Sequence, residues 1–392
     1  MWVGWHAGAA RFAGHFRGVE RFMSIFPSVI RDIINDVGRR RQIRHDDQVS
    51  SFHDWVMREA KIETHVHIEA AVAPSFYESL KPPSSWLESR PWERAPFNDL
   101  RAFIMAWVDL TRSIRKIAEF EALAEEFVAS RARSNIRYSE AYFSPADFSF
   151  MRKRFAIAPE VFDFADVMAA YVRGLRRGLK KNPGFEVRLI MDALWPSNAQ
   201  ERYEMKVALR ATLGHPEFHD EEGVPYIVAV GLGGAENHGD IAGHISFINE
   251  VRGMGFKVDI HSGEGSDGTL HRRSVESLSP DRVSHGFAGV SQGYVFNHNV
   301  VMCPISNLLL KTFTGFPEEH PAFELLRKDV PIAIGSDDPL LLGHSLAAEF
   351  SFLFAIDDNF TRQTFLKIRQ NTQARVLAPE VCSRVFKTQA GS

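Results

Sequence analysis

The chain has 392 residues, 45% hydrophobic and 24% charged, with a formal net charge of −3. This composition suits a globular chain with a full-sized core and is not basic enough for a dedicated nucleic-acid binder. Two cysteines cannot build a disulfide framework, no apolar run reaches the roughly 18 residues of a membrane span, and the start lacks a basic-then-apolar leader, so a cytoplasmic protein is expected.

Residues 1–60 read as mostly helical. Phe22, Ile25, Phe26, Val29, Ile30 and Ile33 recur three to four residues apart and form one apolar face, which Gly38 is expected to close. Arg39, Arg40, Arg41 and Arg44 make a basic run, expected as a solvated face, with Asp46 and Asp47 diluting its charge. Residues 1–60 are therefore taken as a helical extension and 61–392 as the main unit.

After residue 60 short β-branched stretches alternate with longer amphipathic ones. The predicted strands are 62–66, 136–138, 187–191, 226–230, 257–261, 283–285, 300–303 and 332–335, and the longest predicted helices are 100–127, 164–180 and 241–253. Eight strands with intervening helices predict an α/β chain closed as a (β/α)8 barrel, with the helical N-terminal segment as an addition. An open doubly wound sheet would favour GxGxxG after the first strand; the glycine-rich stretch here, residues 230–236, follows the fourth.

Ligand-type residues stand at the predicted strand ends, where barrel enzymes carry their sites. His65 and His67 are two apart, so on a strand both point to one side. His261, His285 and Asp337 end the fifth, sixth and eighth strands. Three or four imidazoles with one carboxylate suit one Zn²⁺, with Fe²⁺ or Co²⁺ as alternatives, and fit an all-oxygen Mg²⁺ or Ca²⁺ site poorly. Met191 and Val230 offer nothing to bridge a second ion. Glu264 lies three residues beyond His261, where Gly263 lets the chain turn inward, and Asp338 follows Asp337. A metal-activated water with spare carboxyl groups predicts hydrolysis by direct water attack. Cys303 reads as a buried small hydrophobe.

Over residues 61–375 the sequence resembles the adenosine/AMP deaminase family of the amidohydrolase barrels. The resemblance is carried by Lys61-Ile62-Glu63-Thr64-His65-Val66-His67-Ile68-Glu69-Ala70, His261-Ser262-Gly263-Glu264, Arg282-Val283-Ser284-His285-Gly286, Cys303-Pro304-Ile305-Ser306-Asn307 and Ser336-Asp337-Asp338-Pro339, with Leu346-Ala347-Ala348-Glu349-Phe350 trailing. It implies that His65, His67, His261 and Asp337 bind zinc. It further implies that Glu264 protonates purine N1, that His285 is the base beside the attacking water, with a carboxylate orienting it, and that Asp338 contacts N7. The Gly234 backbone would meet N3 and Glu69 the N9 sugar. The implied reaction is zinc-dependent deamination of adenosine or a close aminopurine nucleoside, releasing ammonia. The alternative is the same chemistry on an N6-substituted AMP, adenine or aminodeoxyfutalosine.

Several positions depart from the family pattern. Gly231 and Ala235 stand where acidic residues are usual, and Tyr142 and Trp195 where arginines are. Arg137, near the second strand, is the nearest candidate cation for a phosphate. Trp86, Trp92, Phe97 and Phe103 fall where relatives form a lid over the purine; plain helix-to-barrel packing is the other reading. The expected partner is a small aminopurine, with no nucleic acid and no membrane, and a homo-oligomer is compatible with the sequence.

Overall fold

A computed structural model describes residues 25–81, 90–234, 236, 241–290, 292–293 and 299–387. Phe22, Trp86 and Ala235 lie outside them. Eight parallel strands form one sheet in chain order: β1 (Lys61–Glu63), β2 (Ile136–Phe143), β3 (Glu186–Trp195), β4 (Ile227–Gly234), β5 (Lys257–Ser262), β6 (Arg282–His285), β7 (Asn299–Met302) and β8 (Ile332–Ile334). Beyond the ends of β1 and β8 a parallel bridge pairs Val66 with Asp337. Here His67 N donates to Asp337 O (3.0 Å) and Asp337 N to His65 O (3.2 Å), which brings the first and last strands together. The barrel is therefore the predicted one. β1 is shorter than predicted because Thr64–His67 leave the ladder to make that bridge, whereas β2, β3 and β4 run on to the cavity.

The barrel interior holds charge as well as apolar packing. The Arg282 guanidinium is buried between Asp259 (Nε to Oδ2, 2.7 Å) and Glu140, which also accepts from Tyr138 Oη (2.8 Å). Each partner is hydrogen-bonded, the condition under which buried charge is tolerated. Removing any one would leave an uncompensated charge in the barrel.

Among the described residues two helices precede β1: α1 (Ser28–Arg40) and α2 (Asp46–Arg58). Pro27 marks the start of α1. Gly38 lies inside α1 instead of ending it, and the chain becomes extended at Arg41. Ile30, Ile34 and Val37 of α1 and Val49, Phe52 and Val56 of α2 are buried. Phe52 stacks on Phe354, of the helix Leu346–Ile356, with centroids 4.0 Å apart. The basic run is only in part a solvated face. Arg44 lies over the Phe354 ring at 3.9 Å and donates to the carbonyls of Phe354, Asp357 and Asp358, and Arg40 pairs with Asp36 and Glu318. Arginines exposed in sequence thus tie the two helices to the barrel.

The helix predicted over 100–127 is two helices, α3 (Leu100–Thr111) and α4 (Ile117–Arg133). The Glu119 carboxylate accepts from the free N–H groups of Arg115 (2.6 Å) and Lys116 (3.1 Å) and so starts α4 afresh. The break turns α3 across the C-terminal mouth of the barrel, where Phe103 and Trp107 line the cavity.

Candidate active site

At the C-terminal ends of the strands lies a cavity of about 320 Å³. His67, His261 and Asp337 line it, with His65 directly behind them, and the candidate donor atoms of all four lie within 4.8 Å of one another. All four residues are buried. His67 Nε2 and His261 Nε2 face each other at 3.3 Å, and His65 Nε2 is 3.0 Å from Asp337 Oδ1. Four convergent donors fit a divalent cation and would be costly to bury with nothing between them.

Neighbouring residues orient these donors. Ser284 Oγ donates to Asp259 Oδ1 (3.0 Å), which leaves it to accept from His65 Nδ1 (2.7 Å). That fixes the proton on Nδ1 and turns the Nε2 lone pair toward the cluster. Ser306 Oγ donates to Asp337 Oδ2 (2.6 Å). Burial, reinforced by His261 and Arg282, pushes His65 well below the usual imidazole range, and burial with His261 does the same to His67. Neutral imidazole is the ligand form. Asp337 has φ 60° and His285 φ 68°, a left-handed backbone that costs a non-glycine residue on the order of 1–3 kcal/mol and that clusters at functional sites.

Glu264 lines the cavity beside His261 and Asp337. Gly263, at φ 78°, makes the inward turn that the sequence suggests. The loop is held by a residue that the motif reading passed over: Glu236 accepts from the N–H groups of Gly263 (2.8 Å), Glu264 (3.0 Å) and Gly265 (3.0 Å), and from Ser266 Oγ. Burial raises the Glu264 carboxyl well above its usual range, and Asp337 and Glu236 push the same way. The shift favours the protonated form of this carboxyl.

His285 is buried with Nε2 3.4 Å from Glu264 Oε2. The expected carboxylate behind it is an amide: Asn307 Nδ2 lies 3.1 Å from His285 Nδ1, and His320 Nε2 lies 3.3 Å from Asn307 Oδ1. Burial pushes His285 far down, so it is neutral. Asp338 lines the cavity, and its Oδ1 is buried without a hydrogen-bond partner. Gly234, at φ 113°, opens onto the cavity, and a Cβ there would come 2.7 Å from Trp195 O, so the position requires glycine. Cys303 is buried, and burial raises its thiol.

Glu69 is placed differently. Its Oε1 accepts from Ser144 N (2.9 Å) and Tyr171 Oη (2.6 Å), and it is not among the cavity-lining residues. Of the aromatics considered for a lid, Phe103 lines the cavity, Phe97 packs edge-on against it and Trp92 lies against Tyr77. Arg137 stands at the N-terminal end of β2, away from the site, and is no phosphate ligand. Asp147 and Asp192, which sequence reading did not single out, both line the cavity.

A parallel barrel with three histidines, an aspartate and a cavity-lining glutamate at its C-terminal mouth defines a metal-dependent amidohydrolase. The adenosine deaminase family model matches residues 60–384, and the chain belongs to that family. It is 25% identical over 311 residues to an adenine deaminase of Rhizobium etli, covering 74% of this chain and 86% of the relative. It is 27% identical over 322 residues to an aminodeoxyfutalosine deaminase of Acidothermus cellulolyticus, covering 76% and 84%. Among solved structures, an adenine deaminase from Arthrobacter aurescens superposes with a TM-score of 0.67 at 18% identity, covering 85% of this chain and 99% of that one. No helix among the described residues is long and apolar enough to cross a membrane.

Proposed function

We propose that the protein hydrolyses the exocyclic amino group of a 6-aminopurine, with adenine as the leading substrate, giving the 6-oxopurine and ammonia. The observation that carries this is the Glu264 carboxyl, which lines one cavity beside a four-donor metal cluster. His65, His67, His261 and Asp337 would hold the ion. Three imidazoles and a carboxylate suit Zn²⁺, and Fe²⁺ or Co²⁺ would accept the same donors. When bound, such an ion supplies a hydroxide-like nucleophile at neutral pH.

The side chains supply the rest. Glu264 donates its proton to ring N1, which makes C6 more electrophilic. Neutral His285, steadied by Asn307, accepts a proton from the incoming water. Asp338, with its free oxygen, contacts the N7 edge, and the Gly234 N–H the N3 edge. Holding one rigid ring between these groups removes much of the entropic cost of the reaction.

Adenine, the alternative in the sequence reading, is preferred to adenosine on two grounds. The curated relatives cited are an adenine deaminase and an aminodeoxyfutalosine deaminase. Glu69, the sugar contact suggested by resemblance, is instead engaged with Ser144 and Tyr171. A second reading, a purine with an uncharged N9 substituent, is favoured by the cavity, whose 320 Å³ leaves room beyond a purine. A 5′-phosphate finds little support: the Arg152 guanidinium is bonded to the carbonyls of Glu160, Thr111 and Ile114, and Arg154 pairs with Glu201. The test is ammonia release by zinc-loaded protein from adenine, adenosine, AMP, N6-methyl-AMP and aminodeoxyfutalosine. Turnover of adenosine or AMP far above the others would overturn the preference.

A further inference from the structure

Three carboxyl groups stand near one another on the β2–β3 side, two of them lining the cavity, and the chemistry above uses none of them. Glu69 accepts from Ser144 N and Tyr171 Oη. Asp147 Oδ2 accepts from Trp107 Nε1 (2.7 Å), and the nearby Arg152 offsets part of its charge. Among the described residues Asp192 has only the Gly233 N–H, and its Oδ1 is buried without a hydrogen-bond partner. It nevertheless lines the cavity, next to Gly233 and Gly234. A Cβ at Gly233 would lie 2.5 Å from Asp192 Oδ2, so β4 carries glycine where this carboxyl needs room. In the ring of eight strands, β3 stands nearly opposite β8, which leads to Asp337.

We infer that Asp192 is a specificity-determining residue, accepting a hydrogen bond from an N–H or O–H donor on the substrate edge remote from the departing amino group. This rests on the aminopurine reading above. The donor is either the imidazole N–H of a free base or a hydroxyl of an N9 substituent. A phosphate is the wrong partner, because Asp147 and Asp192 both offer acceptors. Burial, Asp147 and Glu69 hold the Asp192 carboxyl well above its usual range, and a further donor brought by a ligand would lower it.

The experiment compares wild type with Asp192→Asn and Asp192→Ala, as zinc-loaded protein, on adenine, 9-methyladenine, adenosine and AMP. Ammonia release gives kcat/KM, and calorimetric binding of the matching 6-oxopurines gives a second readout. Leaving a buried donor of the substrate without its acceptor should cut kcat/KM by roughly 10- to 100-fold. The loss should be about tenfold or more greater for a donor-bearing probe than for 9-methyladenine, and AMP should gain relative to adenine. A selective loss on adenine identifies the ring N–H, and one on adenosine identifies the hydroxyl; either supports the inference. Equal losses on 9-methyladenine and adenine, or no loss on any probe that wild type accepts, overturn it while the aminopurine reading stands. Two variants that fail to fold or to hold metal would make Asp192 structural, which also overturns it. Wild type that neither binds nor deaminates any probe removes the aminopurine reading, and this inference with it.

Discussion

The ring of Tyr142 lies against Gly231 so closely that a Cβ on the glycine would sit 2.5 Å from Tyr142 Cε1. These two positions depart from the family pattern separately in sequence, one in place of an arginine and one in place of an acid. In the barrel they are a single fit, an aromatic ring filling the space a glycine leaves. The same ring stacks on His67 (centroids 4.9 Å) and meets His65 and His261 edge-on at 5.0 and 4.8 Å. Its hydroxyl reaches Ser284 Oγ (3.1 Å). The ligand histidines thus rest on an uncharged floor.

Gly231→Ala should therefore destabilise the protein by about 1–3 kcal/mol, the usual cost of overpacking a closed core. Tyr142→Val in the same chain should recover part of that loss, because the ring is what the methyl group strikes. Urea unfolding of the two single variants and the double variant measures the coupling. Strictly additive losses would show that the two positions do not share the space.

Metal content is the second test. One divalent ion per chain is expected, and His67→Ala or Asp337→Asn should remove most of it and lower activity by orders of magnitude. Elemental analysis alongside ammonia release checks both. Full activity in metal-free protein would refute the site.

Glu264→Gln keeps the size of the side chain and removes the proton. Ion content should be unchanged, while kcat falls by roughly 10²- to 10⁴-fold, the range for general acid–base catalysis. Near-normal kcat would mean that N1 takes its proton from another group.

Lys61 predicts a pH effect on stability away from the cavity. Its Nζ donates to the carbonyls of Val56 (2.8 Å), Met57 (3.4 Å) and Glu59 (2.9 Å) at the end of α2. Burial lowers its pKa from 10.5 to about 8, against the opposing pull of Glu63 and Glu59. Between pH 8 and 10.5 the unfolded chain then binds more protons than the folded one, so stability rises with pH across that window. From pH 8 to 9.5 wild type should gain about 1.6 kcal/mol relative to Lys61→Met, the slope rising from about half to nearly all of 1.36 kcal/mol per pH unit as the folded-state lysine loses its proton. A constant difference in unfolding free energy over that range would contradict the shift.

The barrel and its metal cluster were legible because each ligand stands at the end of a short apolar run, so position and chemistry agree. What was not legible depends on distant partners. Glu69 follows His67 by two residues, yet its direction is set by Tyr171, 102 residues later. Glu236 sits in a conspicuous glycine-rich stretch, but its task is to gather the N–H groups of residues 263–265. Asp192 ends an apolar run as a lone acid, with no spacing partner to mark it. The break between α3 and α4 turns on one carboxylate capping two amides, which an amphipathic period does not reveal.

The bridge between Val66 and Asp337 gives the ring a latch. β1 and β8 are three residues each, and the bonds that join them belong to the backbone of His65, His67 and Asp337. Three of the four candidate donors therefore stand at the join, His65 and His67 after the first strand and Asp337 after the last, with His261 on β5. An ion held by these side chains would span that join, adding a second tie to the one the backbone already makes. The same short stretch of backbone that closes the barrel thus also sets the spacing of three of the four candidate donors.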